Sequence, residues 1–157
     1  PLVNGQEQLP GAESKAADVS YDITADATAM ALEISSAYPM ESRLSALLRK
    51  TVLDRTGKTV SVFDRAEFTA PGNNIVMPLY CLPEPRITGA SQAEITVNGK
   101  VLQLAVNTED KLQLKVEKIN IDDDLLRKSW GDCVYKLIIE TASESDAISY
   151  SISISEK

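Results

Sequence analysis

Residues 148–155 alternate without a break, Ile148, Tyr150, Ile152 and Ile154 against Ser149, Ser151, Ser153 and Ser155. A period of two puts the four large side chains on one face of an extended strand and the serines on the other. A helix would scatter the same residues around its surface, so this segment orders well only as a strand with one buried face. Whatever else the chain does, it must supply strands for that one to pair with.

It does so about every ten residues, with turn chemistry between, as in a sandwich or barrel. Val19, Tyr21 and Ile23 alternate with Ser20, Asp22 and Thr24, and Met30, Leu32 and Ile34 with Ala31 and Glu33. Residues 43–54 hold a helix-like stripe (Leu44, Leu47, Leu48), but Thr59–Val62 follows at hairpin distance after Arg55-Thr56-Gly57-Lys58, so a strand is the better reading. A short apolar strand over 75–82 ends at Pro83 and Pro85, which cannot donate to a ladder. Asn98-Gly99 can occupy both positive-φ positions of a type I′ turn, making 95–102 a tight hairpin. Leu112, Leu114 and Val116 share a face; the apolar set then changes parity to Ile119 and Ile121, which predicts a bulge near Glu117–Lys118. Residues 122–128 suit one helical turn with an aspartate capping Leu125–Leu126, and Val134–Ile139 is another strand.

The expected architecture is all-β: an antiparallel sandwich of about ten strands with at most one short helical turn. It forms a single domain over 1–157, in which 1–16 is an extended N-terminal arm without periodicity. The chain opens Pro-Leu-Val-Asn-Gly without an initiator Met, which reads as a processing or excision boundary.

Composition narrows the chemistry. There is no histidine among the 157 residues, so the usual general base near neutral pH and the commonest metal ligand are both missing. Two cysteines, Cys81 and Cys133, cannot build a Cys-rich zinc site; they could pair in an oxidising compartment, although two buried free thiols are the plainer reading. A formal charge of −7 works against nucleic acid and anionic lipid, and makes the domain a poor main docking surface for a sulfated polysaccharide. No apolar run approaches the roughly 18–20 residues that a membrane-spanning helix needs.

The motifs are mostly ordinary ones. Nothing singles out a catalytic carboxylate pair among 23 acidic residues, and Asp122-Asp123-Asp124 fits a solvated turn better than a calcium loop. A serine nucleophile has no histidine to activate it and no Gly-x-Ser-x-Gly elbow, and no phosphate-binding glycine loop occurs. Tyr21, Tyr135 and Tyr150 fall on apolar strand faces and read as core, whereas Tyr38, in Ser36-Ala37-Tyr38-Pro39, is the least core-like. Trp130 could stack on a sugar, but packing over a sheet edge is the more common use of a lone tryptophan. No catalytic residue, metal ligand or cofactor is expected.

Three stretches carry something more specific: Pro1–Gln8 with Ala17-Asp18-Val19, Ser36–Pro39, and Arg49 with Leu53-Asp54-Arg55 and the strand reaching Asp64. In order and spacing, roughly residues 1–70 resemble the start of the C-terminal β region of heparinase II/III-like polysaccharide lyases. The resemblance implies a larger parent whose N-terminal α/α toroid supplies most substrate contacts and a catalytic tyrosine. It also implies a His-Asn pair just ahead of Pro1, whose loss would account for the missing histidine. Asp18 stands where some members have an acidic zinc ligand, but the histidine partners are absent, so no metal site carries over. Asn4, Gln6 and Gln8 would be the substrate-proximal residues.

The expectation is therefore a non-catalytic C-terminal β-sandwich of a periplasmic or secreted lyase. It would support the toroid and wall one side of a cleft for a uronic-acid polysaccharide, with no nucleic acid partner and no membrane insertion. The alternative is a free-standing carbohydrate-binding or adhesion sandwich with no lyase ancestry.

Overall fold

A computed structural model describes all residues, 1–157. Twelve strands form: β1 (Leu2–Val3), β2 (Ala17–Ile23), β3 (Ala27–Glu33), β4 (Leu44–Asp54), β5 (Thr59–Phe68) and β6 (Asn73–Cys81), then β7 (Arg86–Gly89), β8 (Gln92–Val97), β9 (Lys100–Thr108), β10 (Lys111–Asn120), β11 (Cys133–Ser143) and β12 (Ala147–Glu156). Two 3-10 turns, Ser35–Ala37 and Met40–Ser42, link β3 to β4, and one short helix, α1 (Asp124–Trp130), links β10 to β11. The helix is too short to cross a membrane.

The strands make two antiparallel sheets, one of four strands (β1-β6-β11-β10) and one of eight (β2-β3-β4-β5-β12-β9-β8-β7). The sandwich expected from the alternation is there. Its core lies between the sheets: Leu47, Ala66, Leu104, Ile148 and Ile152 from the larger, Val3, Ile75, Leu137 and Ile139 from the smaller. The closing alternation works as read, because β12 is a central strand between β5 and β9, with Ile148, Tyr150 and Ile152 buried. Residues 44–54 are a strand along their whole length, paired to β5. Asn98 (φ 50°) and Gly99 (φ 78°) turn the β8–β9 hairpin. The Asp123 carboxylate accepts from the Leu125 and Leu126 amides and so caps α1 as its spacing suggests.

Several expectations are corrected. The N-terminal segment does not begin as a free arm: Leu2–Val3 pairs with β6, and Val3 is fully buried. No bulge interrupts β10 at Glu117–Lys118; its register against β11 runs unbroken from Lys111 to Asn120. The parity change instead puts Ile119 on the outer face, level with Val134, where α1 folds over the sheet.

Two tyrosines exchange roles. Tyr38 is buried at 7% exposure, carried between the sheets by the first 3-10 turn, and its hydroxyl donates to the Pro1 carbonyl at 2.6 Å. Tyr21 is 74% exposed. The reason is the mismatch in sheet size. Ile23, Thr28, Leu53, Val60 and Ile154 form one row across the larger sheet on its core face. Ile154 packs against the core, but Ile23, Leu53 and Val60 overhang the smaller sheet and stay exposed. Tyr21 and Met30, paired on the same overhang, are exposed with them. Tyr135 is only half-buried.

Candidate functional site

Across the middle of the larger sheet, register aligns Leu32, Arg49, Asp64, Tyr150 and Thr108 in one transverse row. On its core side this row holds the main buried polar cluster. The Asp64 side chain is wholly buried and receives Arg49 Nε at 2.8 Å on Oδ1 and Arg49 Nη2 at 2.6 Å on Oδ2. The Tyr150 hydroxyl donates to the same Oδ2. A buried carboxylate so paired and bridged is a satisfied network. Burial, and then the Asp64 charge, push the Tyr150 hydroxyl well above its ordinary pKa. Tyr38 beside them is pushed up to about 12, mainly by burial, with Arg49 opposing and Asp64 adding. Burial disfavours the Arg49 cation, yet Asp64 more than offsets this and raises its pKa. The bonds from Arg49 and Tyr150 to the one Asp64 carboxylate tie β4, β5 and β12 together.

The opposite face of the same row is a trough of about 660 Å³. One wall follows the register Ala31–Lys50–Phe63–Ser151–Asn107, the other Glu33–Leu48–Arg65–Ser149. Asp18, at positive φ beside an irregularity in β2, closes one end, and Glu109 lies at the other. Glu33 Oε1 accepts the Ser35 and Leu47 amides at 2.7 and 3.0 Å. Although burial opposes it, these bonds hold the Glu33 carboxyl below its usual value. A second hollow of about 520 Å³ lies on the outer face of the smaller sheet, between Tyr80, Ile119, Val134 and the α1 residues Leu126 and Trp130. Trp130 is 53% exposed there and shares the hollow with Tyr80.

The three residues expected near substrate lie on the segment that leaves β1. Asn4, at φ 50°, donates to the Ser42 carbonyl (2.8 Å) and Asn73 Oδ1 (3.0 Å) and accepts the Asn74 amide (2.9 Å), so its side chain is spent on holding the turn. Gln6 closes that turn through reciprocal main-chain bonds with Val3, and Gln8 is exposed. None of the three lines the trough. Asp18 belongs to no group of three or more His, Cys, Asp or Glu side chains placed to hold an ion. Cys81 lies opposite Tyr135, and both it and Cys133 are free thiols. The trough is not legible in the sequence because its walls bring together strands far apart in the chain; the period-two serines are its one local trace.

No protein-family model matches this sequence, and no curated protein sequence does either. Solved structures do match. A crystal structure of heparinase III superposes on 90% of this chain with a TM-score of 0.62 at 12% identity. The fold is that of a part of heparinase III. A heparinase III gene product, solved also with methylated lysines, matches 88% of the chain with a TM-score of 0.61 at 10% identity. This chain spans 21% of the length of each of those heparinase III chains.

Proposed function

We propose that this chain is the non-catalytic C-terminal β-sandwich of a heparinase II/III-like polysaccharide lyase, one that is secreted or periplasmic. The observation that carries the reading is the shared fold, which takes in 90% of this chain but only 21% of a heparinase III. In the whole enzyme a base removes the C5 proton of a uronic acid and an acid protonates the leaving glycosidic oxygen. This module supplies neither group. It supports an α/α toroid and walls one side of its cleft, with the turn at Asn4 carrying Gln6 and Gln8 toward substrate.

Two features of the surface favour a supporting role. The overhang at Tyr21, Ile23, Leu53 and Val60 on the larger sheet and the hollow around Trp130 on the smaller leave large apolar side chains exposed. Patches of this kind mark surfaces that pack against something else.

The test has two parts. This chain, incubated with heparin, heparan sulfate, alginate and chondroitin, should release no unsaturated uronate absorbance, while a parent polypeptide with the helical domain and His-Asn should degrade at least one of them. Turnover by this chain alone, surviving repurification, would overturn the reading, as would a reading frame without helical residues upstream.

A further inference from the structure

We infer that the outer trough of the larger sheet is a binding site for a linear, sparsely charged acidic oligosaccharide, one bearing uronate carboxylates and not dense sulfate. The trough crosses the strands from β2 to β9, and five steps of about 4.8 Å make it roughly 24 Å long, the length of a short oligosaccharide. Phe63, 44% exposed, offers an apolar face against which a sugar ring can lie. Around it, Lys50 Nζ, the Asn107 amide and the Ser149 and Ser151 hydroxyls have no hydrogen-bond partner within the chain, and Lys50 makes no ion pair. Arg65 reaches only Glu67, in an exposed pair of the kind that contributes little and turns readily.

Charge selects the ligand. Lys50 and Arg65 stand on opposite walls of adjacent strands, so a carboxylate at mid-trough meets both cations. The carboxylates of Asp18 and Glu109 at the two ends and of Glu33 on one wall, with the net charge of −7, repel a chain sulfated along its length. Topology argues against an extended peptide. From β3 to β9 the floor is main chain already paired on both sides, so that stretch offers no free edge for a strand to join. A hydroxyl-rich ligand needs only the side chains.

This inference is read on binding alone and stands apart from the lyase reading. This chain, labelled for amide NMR, is titrated with hyaluronan, neutral cello-oligosaccharide and heparin fragments of equal length, and with an acidic peptide. Hyaluronan should shift amides of the trough rows with a millimolar or tighter dissociation constant. Lys50→Gln and Phe63→Ala should each weaken binding by about tenfold while leaving the fold intact, the loss expected for one charge-assisted contact or one buried ring face. Trp130→Ala should leave it unchanged. No shift with hyaluronan, shifts centred on the Trp130 hollow, or unaltered affinity in both trough variants would overturn the site. Equal or tighter binding of heparin, the neutral glycan or the peptide would overturn the ligand class.

Discussion

The Tyr150 hydroxyl donates to Asp64, its partner on the neighbouring strand and 86 residues away in sequence, at the same oxygen that takes Arg49 Nη2. Because Asp64 is buried, the two halves of this network are not equivalent. Asp64→Ala leaves Arg49 facing the core without its counter-ion, and breaking such a pair costs about 3–5 kcal/mol; with the Arg49 side chain 21% exposed, the lower end of that range applies. Tyr150→Phe removes one donor and should cost about 1–3 kcal/mol. Urea unfolding followed by fluorescence should rank the two variants in that order. A smaller loss for Asp64→Ala than for Tyr150→Phe would mean that the carboxylate is not the hub.

The same tyrosines predict a loss of stability in alkali. In the unfolded chain a tyrosine ionises near pH 10. In the folded chain Tyr38 is pushed up to about 12 and Tyr150 is raised well above its ordinary value. Between those limits the folded state holds more protons than the unfolded state, so stability must fall as pH rises. The contribution is whole below about pH 10 and is lost toward pH 12 as Tyr38 titrates in the folded protein. Unfolding free energy measured from pH 9 to 12 should therefore drop less steeply in the double variant Tyr38→Phe, Tyr150→Phe than in the native protein. Parallel profiles would show that both hydroxyls ionise freely.

The β8–β9 hairpin gives a cleaner backbone test. Gly99 sits at φ 78°, and a Cβ added there would meet nothing within 4 Å. The cost of Gly99→Val is thus conformational alone, on the order of 1–3 kcal/mol for a β-branched residue held at positive φ. A melting temperature lowered in Gly99→Val but nearly kept in Gly99→Asn, which tolerates this region, is the expected pattern.

How far the sequence could be read depended on whether a feature was local. The Asn98-Gly99 turn, the Asp123 cap and the alternation through Ile154 are each set within a few residues, and each formed. Tyr21 and Tyr38 depart from the pattern for one physical reason: periodicity says which side of a strand a residue faces, not whether a second sheet covers it. The eight-against-four mismatch leaves Tyr21 on an overhang, while a 3-10 turn tucks Tyr38 inside. Likewise the parity change at Ile119 was sound evidence of a second apolar face; only its cause differed, a covering helix rather than a bulge. The trough was out of reach, since Lys50, Phe63 and Ser151 meet only because β12 returns from the end of the chain to lie beside β5.

That return makes the last strand the most consequential segment to remove. β12 pairs along nine positions with β5 and seven with β9, joining the first half of the larger sheet to the second. Ile148, Tyr150 and Ile152 are each at most 4% exposed. Burial of each large apolar side chain is worth roughly 1.5–3 kcal/mol, and the Asp64 network loses Tyr150 as well. Against a total stability of about 5–15 kcal/mol, ending the chain after Ala147 should leave nothing cooperative to melt. It would also expose two long strand edges at once, which favours aggregation. Circular dichroism and size-exclusion chromatography of the truncated chain should show a loss of the sheet signal or soluble aggregates. The decisive control is to add residues 148–157 back as a free peptide. If β12 is the central clasp, that peptide should restore some folded protein, while a version with Ile148 and Ile152 changed to Ser should not. A truncated chain that remains monomeric and melts cooperatively near the full-length temperature would show that the two halves of the sheet hold without it.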